Sequence, residues 1–186
     1  QSTYESVYFD SPDLLSYRRA AQARRRRFKL RTRGYVDSDV AYLEIKTKGA
    51  RGETVKERTE YDTLVRDRLT DEARLEVAGA LETVGVPAER ASELESVLVT
   101  RYHRATLLMA DRGSRTTIDT DLEWIQPDGG GFELPGMTII ETKSMSHASE
   151  VDRILWRLGA RPVSLSKYAT GLAALHPELP RNKWSR

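Results

Sequence analysis

Apolar and polar residues alternate with a period of two along three successive segments near the start of the chain. The segments are FKLRTR (28–33), LEIKTK (43–48) and VKER (55–58). A period of two is typical of β-strands, because successive side chains point to opposite faces of a sheet. Turn-forming residues separate the segments at 34–39 and at 48–52. The pattern therefore predicts three antiparallel neighbours that carry their charged side chains on one face.

The rest of the chain contains further strand and helix patterns. Strands are predicted at 6–10, 97–111, 115–124 and 137–144, with a flexible loop at 127–131. Helices are predicted at 14–22, 70–84, 88–94, 146–158 and 166–175, several of them bounded by capping residues, glycine or proline. We expect an α+β fold in which helices pack outside an antiparallel sheet, and an irregular tail at 177–186.

The charged positions of the predicted strands form one large set. Its members are Lys29, Arg31, Arg33, Glu44, Lys46, Lys48, Lys56, Arg58, Arg101, Arg115, Glu141 and Lys143. So many cations on an open face would repel one another. A sheet closed into a β-barrel would gather them in one lumen, where a bound polyanion would neutralise them. Arginine matches phosphate oxygens with a planar fork, and lysine acts as a point charge.

Composition narrows these possibilities. The chain has 186 residues, of which 39% are hydrophobic and 31% charged, with a net charge of only +2. The near balance of charge indicates a concentrated anion site and disfavours general nucleic-acid binding. There are no cysteines, so disulfides and thiolate chemistry are excluded. No signal peptide or membrane span is visible, and we expect a cytoplasmic protein whose first residues lie before Gln1.

Carboxylates among the cations suggest a divalent metal. Mg²⁺ and Mn²⁺ prefer carboxylate and phosphate oxygens together. Glu141 is the first candidate ligand, and Glu44, Asp119 and Asp121 are weaker candidates. For Glu44, ion pairing with a neighbouring lysine or arginine is an equal alternative.

Seven segments, in this order, resemble the VTC domain. They are VYFDSPDLLSYR, FKLRTRGY, LEIKTK, TVKER, RTTIDTDL, IIETKS and SKYATG, and they extend from Val7 to Leu172. That domain is the catalytic module of the vacuolar transporter chaperone polyphosphate polymerase and belongs to the triphosphate tunnel metalloenzymes. The resemblance implies an antiparallel β-barrel that forms a tunnel. It also implies transfer of the γ-phosphoryl group of ATP to a growing polyphosphate chain, with Mn²⁺ or Mg²⁺.

Together, the resemblance and the strand pattern assign roles to particular residues. The predicted catalytic set is Arg31, Arg33, Lys46, Lys56 and Arg115. The predicted phosphate-binding set is Lys29, Lys48, Arg58, Arg101, Lys143, Ser166 and Lys167, and the predicted metal ligands are Glu141 and Glu44. Two departures from the family are expected: its first strand, which carries another lysine and a glutamate, would precede Gln1, and Ser164 stands where the family has a lysine.

Three other functions stay open. Related tunnel enzymes hydrolyse triphosphates or cyclise ATP, and a VTC-like domain without activity would serve as a polyphosphate-binding module. RNA binding through Arg24 to Arg33 is disfavoured because the aromatic interleaving and stacking platforms typical of single-strand binders are missing. The expected partners are ATP and polyphosphate or pyrophosphate, without nucleic acid. A membrane partner is compatible with the sequence.

Overall fold

A computed structural model describes residues 1–109, 113–145 and 147–181. Eight strands form one antiparallel sheet in the order β4-β3-β2-β1-β5-β6-β7, with β8 also paired to β6. The strands are β1 (Ser2–Asp10), β2 (Arg27–Tyr35), β3 (Val40–Lys48), β4 (Thr54–Tyr61), β5 (Glu95–Leu108), β6 (Ser114–Ile125), β7 (Gly131–Leu134) and β8 (Ile139–Ser144). The helices are α1 (Leu15–Ala21), α2 (Asp71–Thr83), α3 (Glu150–Arg157) and α4 (Lys167–Leu175).

The sheet is strongly curved, and this confirms the predicted antiparallel tunnel architecture. It is not closed, however. Hydrogen-bonded strands run from β4 to β6, and β7 and β8 both pair with the far edge of β6. Within the described residues, β4 pairs only with β3. The expected closed cylinder is therefore an open trough with a concave and a convex face.

The convex face of the sheet carries the larger apolar core. Phe28 and Leu30 of β2 and Leu43 and Ile45 of β3 are buried there beneath α2 and a 3₁₀ helix (Ala88–Glu93). Thr70 caps α2, because its side chain accepts a hydrogen bond from the backbone N–H of Ala73. The predicted helix at 88–94 is this 3₁₀ turn, so the whole 70–94 insert packs against the convex side.

A second apolar cluster lies where α1 and α4 meet the sheet. Tyr8, Leu98 and Trp124 come from the sheet, while Tyr17 of α1 and Leu172 of α4 come from the helices. The carboxylate of Asp10 joins these helices, since it accepts hydrogen bonds from the backbone N–H groups of α1 and, at 2.5 Å, from the Tyr168 hydroxyl. The cluster therefore fixes α4 against the sheet.

Several predicted boundaries differ from the observed ones. The first strand begins at Ser2, not Ser6, and the loop predicted at 127–131 leads into β7, which the sequence pattern did not indicate. The helix predicted from Ser146 begins at Glu150, after the capping residue Ser149; Ser146 itself lies outside the described residues. Within the predicted tail, residues 177–181 form no helix or strand, and 182–186 lie outside the described residues.

Candidate active site

The strand register determines which side chains share the concave face. Residues paired directly across antiparallel strands point to the same side of a sheet. Arg31 of β2 lies opposite both Tyr8 of β1 and Glu44 of β3, and Glu44 lies opposite Arg58 of β4. On the other half of the sheet, Arg104 of β5 lies opposite Asp119 of β6. Every second residue along each strand, counted from these paired residues, points to the same side of the sheet, which is its concave face.

Most of the predicted cations lie on this face. The register places there Lys29, Arg31, Arg33, Lys46, Lys48, Lys56, Arg58, Arg115 and Lys143, together with the predicted metal ligands Glu44 and Glu141. The first turn of α4 adds Ser166 and Lys167, since Ser166 accepts a hydrogen bond at 3.2 Å from the Lys29 ammonium and Lys167 pairs with Asp119. The residues come from five strands and one helix that are distant in sequence.

Two carboxylates organise the centre of the concave face. Glu44 accepts hydrogen bonds from Arg31 at 2.5 and 2.7 Å, and its other oxygen lies 3.9 Å from Arg33. Asp119 accepts two hydrogen bonds from Arg104, at 2.6 and 2.7 Å. Burial would raise the pKa of each carboxyl group, but these neighbouring cations outweigh it and hold both pKa values below the usual range. Both groups are therefore ionised at neutral pH.

Tyrosine rings form a floor beneath the cations. Tyr4 and Tyr102 stack with their ring centres 5.5 Å apart, and the guanidinium of Arg104 lies 5.2 Å from each ring centre. The Lys29 ammonium lies 5.0 Å from the centre of the Tyr8 ring, and Arg58 lies 3.5 Å from that of Tyr42. Such cation–π contacts stabilise the positive charges of these lysine and arginine side chains. A cation held by a ring keeps its N–H groups available to donate hydrogen bonds to an anion.

Tyr8 and Lys29 titrate near neutral pH. Burial alone would raise the pKa of Tyr8, but the charges of Lys29, Arg31 and Arg33 and a hydrogen bond from Arg31 lower it to about 7. Burial lowers the pKa of Lys29 to about 8, although the nearby Tyr8 opposes this shift. The charge of the concave face therefore decreases as the pH rises from neutral to mildly alkaline values.

The expected position of Arg101 on the inner face is wrong. Arg101 lies opposite Glu5 of β1, on the convex side, and donates a 2.7 Å hydrogen bond to that carboxylate. The arginine that β5 contributes to the concave face is Arg104, which the sequence analysis did not select. The two residues are three positions apart, so strand alternation places them on opposite faces. Arg104 is well enclosed, with a side chain only 13% exposed.

A bulge in β6 also changes the expected grouping of its acidic residues. Arg101 pairs with Glu123, whereas His103 pairs with Thr120, so β6 has one more residue than β5 in this interval. Asp121 lies in the bulge with a φ of 53°. The alternation that unites Arg115 and Asp119 is interrupted there, and Asp121 does not continue their row. Asp119 itself is enclosed by Arg104 and Lys167, which makes it an ion-pair partner rather than an open metal ligand.

Glu141 is far more open to solvent than Glu44 and Asp119. Its side chain is 50% exposed and its carboxylate lies 3.1 Å from the Lys143 ammonium. Thr117, its direct partner on β6, has a hydroxyl group without a hydrogen-bond partner among the described residues. The described residues include no group of three metal-binding side chains. An ion at Glu141 would therefore need phosphate oxygens and water as its remaining ligands, as is common for Mg²⁺ and Mn²⁺ beside phosphates.

The fold is that of the triphosphate tunnel proteins. The chain is similar in structure to a protein from Bacillus halodurans assigned as an adenylate cyclase. The two structures superpose with a TM-score of 0.53 and 14% sequence identity over 89% of this chain and 79% of that chain. A Hippeastrum protein assigned as an adenylyl cyclase, with a dominant triphosphatase activity, has a TM-score of 0.53 and 15% identity, with coverage of 93% and 82%.

Within this class the chain belongs to the VTC domain family, whose profile matches residues 1–176. The resemblance inferred from the seven segments is thereby confirmed. No curated protein sequence matches the chain. Among the described residues, no helix has the length and apolar character needed to cross a membrane.

Proposed function

We propose that this protein transfers the γ-phosphoryl group of ATP to a polyphosphate chain bound along the concave face. The observation that carries the proposal is the convergence of lysines and arginines from β2, β3, β4, β5, β6, β8 and α4 on one curved surface. A single phosphate needs far fewer cations. A continuous row suits a substrate that carries charge along its length.

The reaction requires little covalent participation by the protein. A terminal oxygen of the acceptor chain attacks the γ-phosphorus of ATP, a new P–O–P bond forms, and the bond to the β-phosphate breaks to release ADP. No proton or water is consumed. Catalysis then depends on alignment of the two phosphate chains and on stabilisation of the charge on the transferred group.

The enclosed arginines are suited to hold the transferred phosphoryl group. Arg31, Arg33 and Arg104 are fixed by carboxylates and tyrosine rings, so they do not need to reorganise when substrate binds. Lys29 and Lys167 approach the same region from β2 and α4. A divalent ion held by Glu141 would neutralise phosphate charge, and we propose Mn²⁺ or Mg²⁺ for this role.

The identity of the products tests the reaction directly. The protein is incubated with ATP, a short polyphosphate as acceptor and Mn²⁺, and the products are separated by gel electrophoresis and anion-exchange chromatography. Our proposal predicts ADP and long polyphosphate. Free phosphate alone would identify a triphosphatase, cyclic AMP would identify a cyclase, and binding without turnover would identify a polyphosphate-binding module; each of these results would contradict the proposal.

Arg104 and Arg101 provide a matched test of the site. Both lie on β5 and both pair with a carboxylate, but on opposite faces of the sheet. Arg104→Gln is expected to weaken tripolyphosphate binding roughly 10- to 100-fold, because a charge-assisted hydrogen-bond donor is lost. Arg101→Gln should leave it unchanged. Isothermal titration calorimetry measures both affinities, and thermal unfolding verifies that each variant folds. Equal effects of the two substitutions would refute the assignment of the concave face.

Hydrolysis is the second candidate because the trough is open along one side. The described part of β4 has no strand partner on its outer edge, so water has access to phosphates bound near Lys56 and Arg58. Water and an acceptor phosphate would compete for the same γ-phosphorus. The dominant triphosphatase activity of the Hippeastrum protein gives this alternative additional weight. The cytoplasmic location and a membrane partner stay predictions.

A further inference from the structure

A group of arginines at the turn between α1 and β2 has no role in the site described above. Arg24, Arg25 and Arg26 are exposed, and Arg19 projects from the last turn of α1 toward them. We call Arg19, Arg24, Arg25 and Arg26 the turn cluster. No carboxylate of the described residues lies within 4.0 Å of their side-chain nitrogens. Unpaired guanidinium groups in such proximity repel one another, so an anion bound among them would be stabilised.

Arg19 and Arg26 are held in place by backbone contacts. Arg19 donates hydrogen bonds to the carbonyl oxygens of Arg26, at 3.5 Å, and Val84, at 3.4 Å. The guanidinium of Arg26 lies over Gly85, so close that a side-chain carbon there would lie 3.0 Å from its Nη1 atom. Burial lowers the pKa of Arg19, and the charges of Arg24, Arg26 and Arg90 add to this effect. The cluster is therefore a partly ordered feature and differs from a fully solvated run of charge.

The turn cluster is continuous with the concave face. Arg27, the first residue of β2, lies opposite Lys48, and alternation places both on the same face as Lys29 and Lys46. The Arg27 side chain turns back to donate a 2.8 Å hydrogen bond to the carbonyl oxygen of Arg24. The charge of Arg27 also contributes to the lowered pKa of Lys46. Arg27 thus connects the two groups, because its strand position belongs to the concave face and its guanidinium contacts the backbone of the turn cluster.

We propose that the turn cluster is a second phosphate-binding surface that holds the part of a linear polyphosphate chain extending beyond the Arg27–Lys48 edge of the trough. The proposal rests on the proposed function, because it assumes that a phosphate chain occupies the concave face. An inorganic chain fits better than single-stranded RNA. The aromatic residues nearest in sequence, Tyr17 and Phe28, are buried and have no surface on which a base could stack.

The test compares a short and a long phosphate chain. In the triple variant Arg24→Gln, Arg25→Gln, Arg26→Gln, binding of long-chain polyphosphate should weaken about tenfold, because three cations near phosphates are removed. The slope of the logarithm of its affinity against the logarithm of salt concentration should decrease by about 2, for the same reason. Binding of tripolyphosphate, which is short enough to remain in the trough, should be unchanged.

A second triple variant controls for the change in net charge. Arg153→Gln, Arg157→Gln, Arg161→Gln removes the same number of exposed arginines from α3 and the segment that follows it. It should leave long-chain binding unchanged. Equal losses in the two triple variants, or no loss in the turn-cluster variant, would overturn the inference. So would a loss confined to single-stranded RNA, since it would assign the cluster to a nucleic acid.

Failure of this inference is distinguishable from failure of the proposed function. If Arg104→Gln weakens tripolyphosphate binding but the turn-cluster variant binds long chains as tightly as the wild-type protein does, the trough remains a phosphate site and only the second surface is refuted. Wild-type protein that binds neither ligand would contradict the proposed function itself.

Discussion

At the scale of single residues, the pair formed by Tyr8 and Lys29 links the chemistry of the trough to pH. Tyr8 is almost fully buried, and Lys29 lies over its ring while donating to Ser166. The lowered pKa values, about 7 for Tyr8 and about 8 for Lys29, mean that both groups lose a proton in the same interval. The first loss creates a negative charge and the second removes a positive charge.

We predict that anion affinity and stability of the free protein respond to pH in opposite directions. Tripolyphosphate affinity should decrease as the pH rises through about 7 and 8, since the face becomes less cationic. The free energy of unfolding should increase over the same interval. Both pKa values are lower in the folded than in the unfolded state, so the unfolded chain binds more protons and is disfavoured as protons become scarce.

Calorimetric titration and urea unfolding across the pH range measure the two responses. Tyr8→Phe should leave a single step in both curves, that of Lys29, displaced to lower pH because Tyr8 no longer opposes the lowering of the Lys29 pKa. Two steps in this variant, as in the wild-type protein, would exclude Tyr8 as the origin of either.

The two candidate metal ligands are separable by substitution. Glu141→Gln should raise the Mn²⁺ concentration needed for half-maximal activity about tenfold or more, because a carboxylate ligand is lost. Glu44→Gln should leave that concentration unchanged, because Glu44 is occupied by Arg31 and Arg33. Titration of activity with Mn²⁺ measures both. A greater metal requirement in Glu44→Gln than in Glu141→Gln would reverse the assignment.

At the scale of elements, α4 connects the apolar cluster to the charged face. Ser166 caps the helix and accepts a hydrogen bond from Lys29, while Lys167 pairs with Asp119. One turn later Gly171 lies against the ring of Trp124, where an added side-chain carbon would lie 2.1 Å from the Cδ1 atom. The position of Lys167 in the trough therefore depends on a glycine that allows close approach of helix and ring.

Two helical glycines give a matched test of this contact. Gly171→Ala should destabilise the protein by about 1 to 3 kcal/mol through overpacking against Trp124. Gly79→Ala in α2 should stabilise it by about 0.5 to 1 kcal/mol, because nothing lies within 4 Å of the added carbon and alanine favours the helix. Unfolding in urea measures both changes. Stabilisation by both substitutions would show that α4 does not pack closely on Trp124.

Sequence alternation predicted the strands well and their faces less completely. Alternation alone predicts which charged side chains of β2, β3 and β4 share one side of each strand. The short connections between these antiparallel neighbours predict that the three sets share one face of the sheet. Arg104 escaped prediction because β5 contains arginines on both faces, and only the pairing of Glu5 with Arg101 distinguishes them. The bulge at Asp121 escaped it because a left-handed residue interrupts the period without a glycine to mark it.

At the scale of the whole molecule, a net charge of +2 conceals strong local separation. Acidic residues such as Glu57, Asp71 and Glu72 lie exposed on β4 and α2, away from the Lys29–Arg31 row. Because exposed charges are screened within about 8 Å at physiological ionic strength, the enclosed cations act locally and the remote acids do little to cancel them. Composition could indicate a concentrated patch, but not its location.

Curvature and closure of the sheet also belong to this scale. The sequence indicated antiparallel neighbours and a set of like charges, from which a closed lumen was expected. Closure depends on whether the two outermost strands meet, which is set by cumulative twist and strand stagger, and no local pattern encodes either quantity. The short β7, which follows a glycine-rich loop, was missed for a related reason: its four residues are too few to show a period.

The environment of Trp124 gives the molecule an intrinsic optical reporter. Its indole N–H donates to the Lys167 carbonyl oxygen at 2.8 Å, and its ring stacks 4.8 Å from that of Phe132. Trp156 is considerably more exposed and Trp184 lies outside the described residues, so replacing both by phenylalanine would leave the buried Trp124 as the single source of a blue-shifted emission component. Any displacement of α4 when phosphate attracts Lys167 away from Asp119 would alter that component, so occupancy of the trough could be followed by fluorescence without a label.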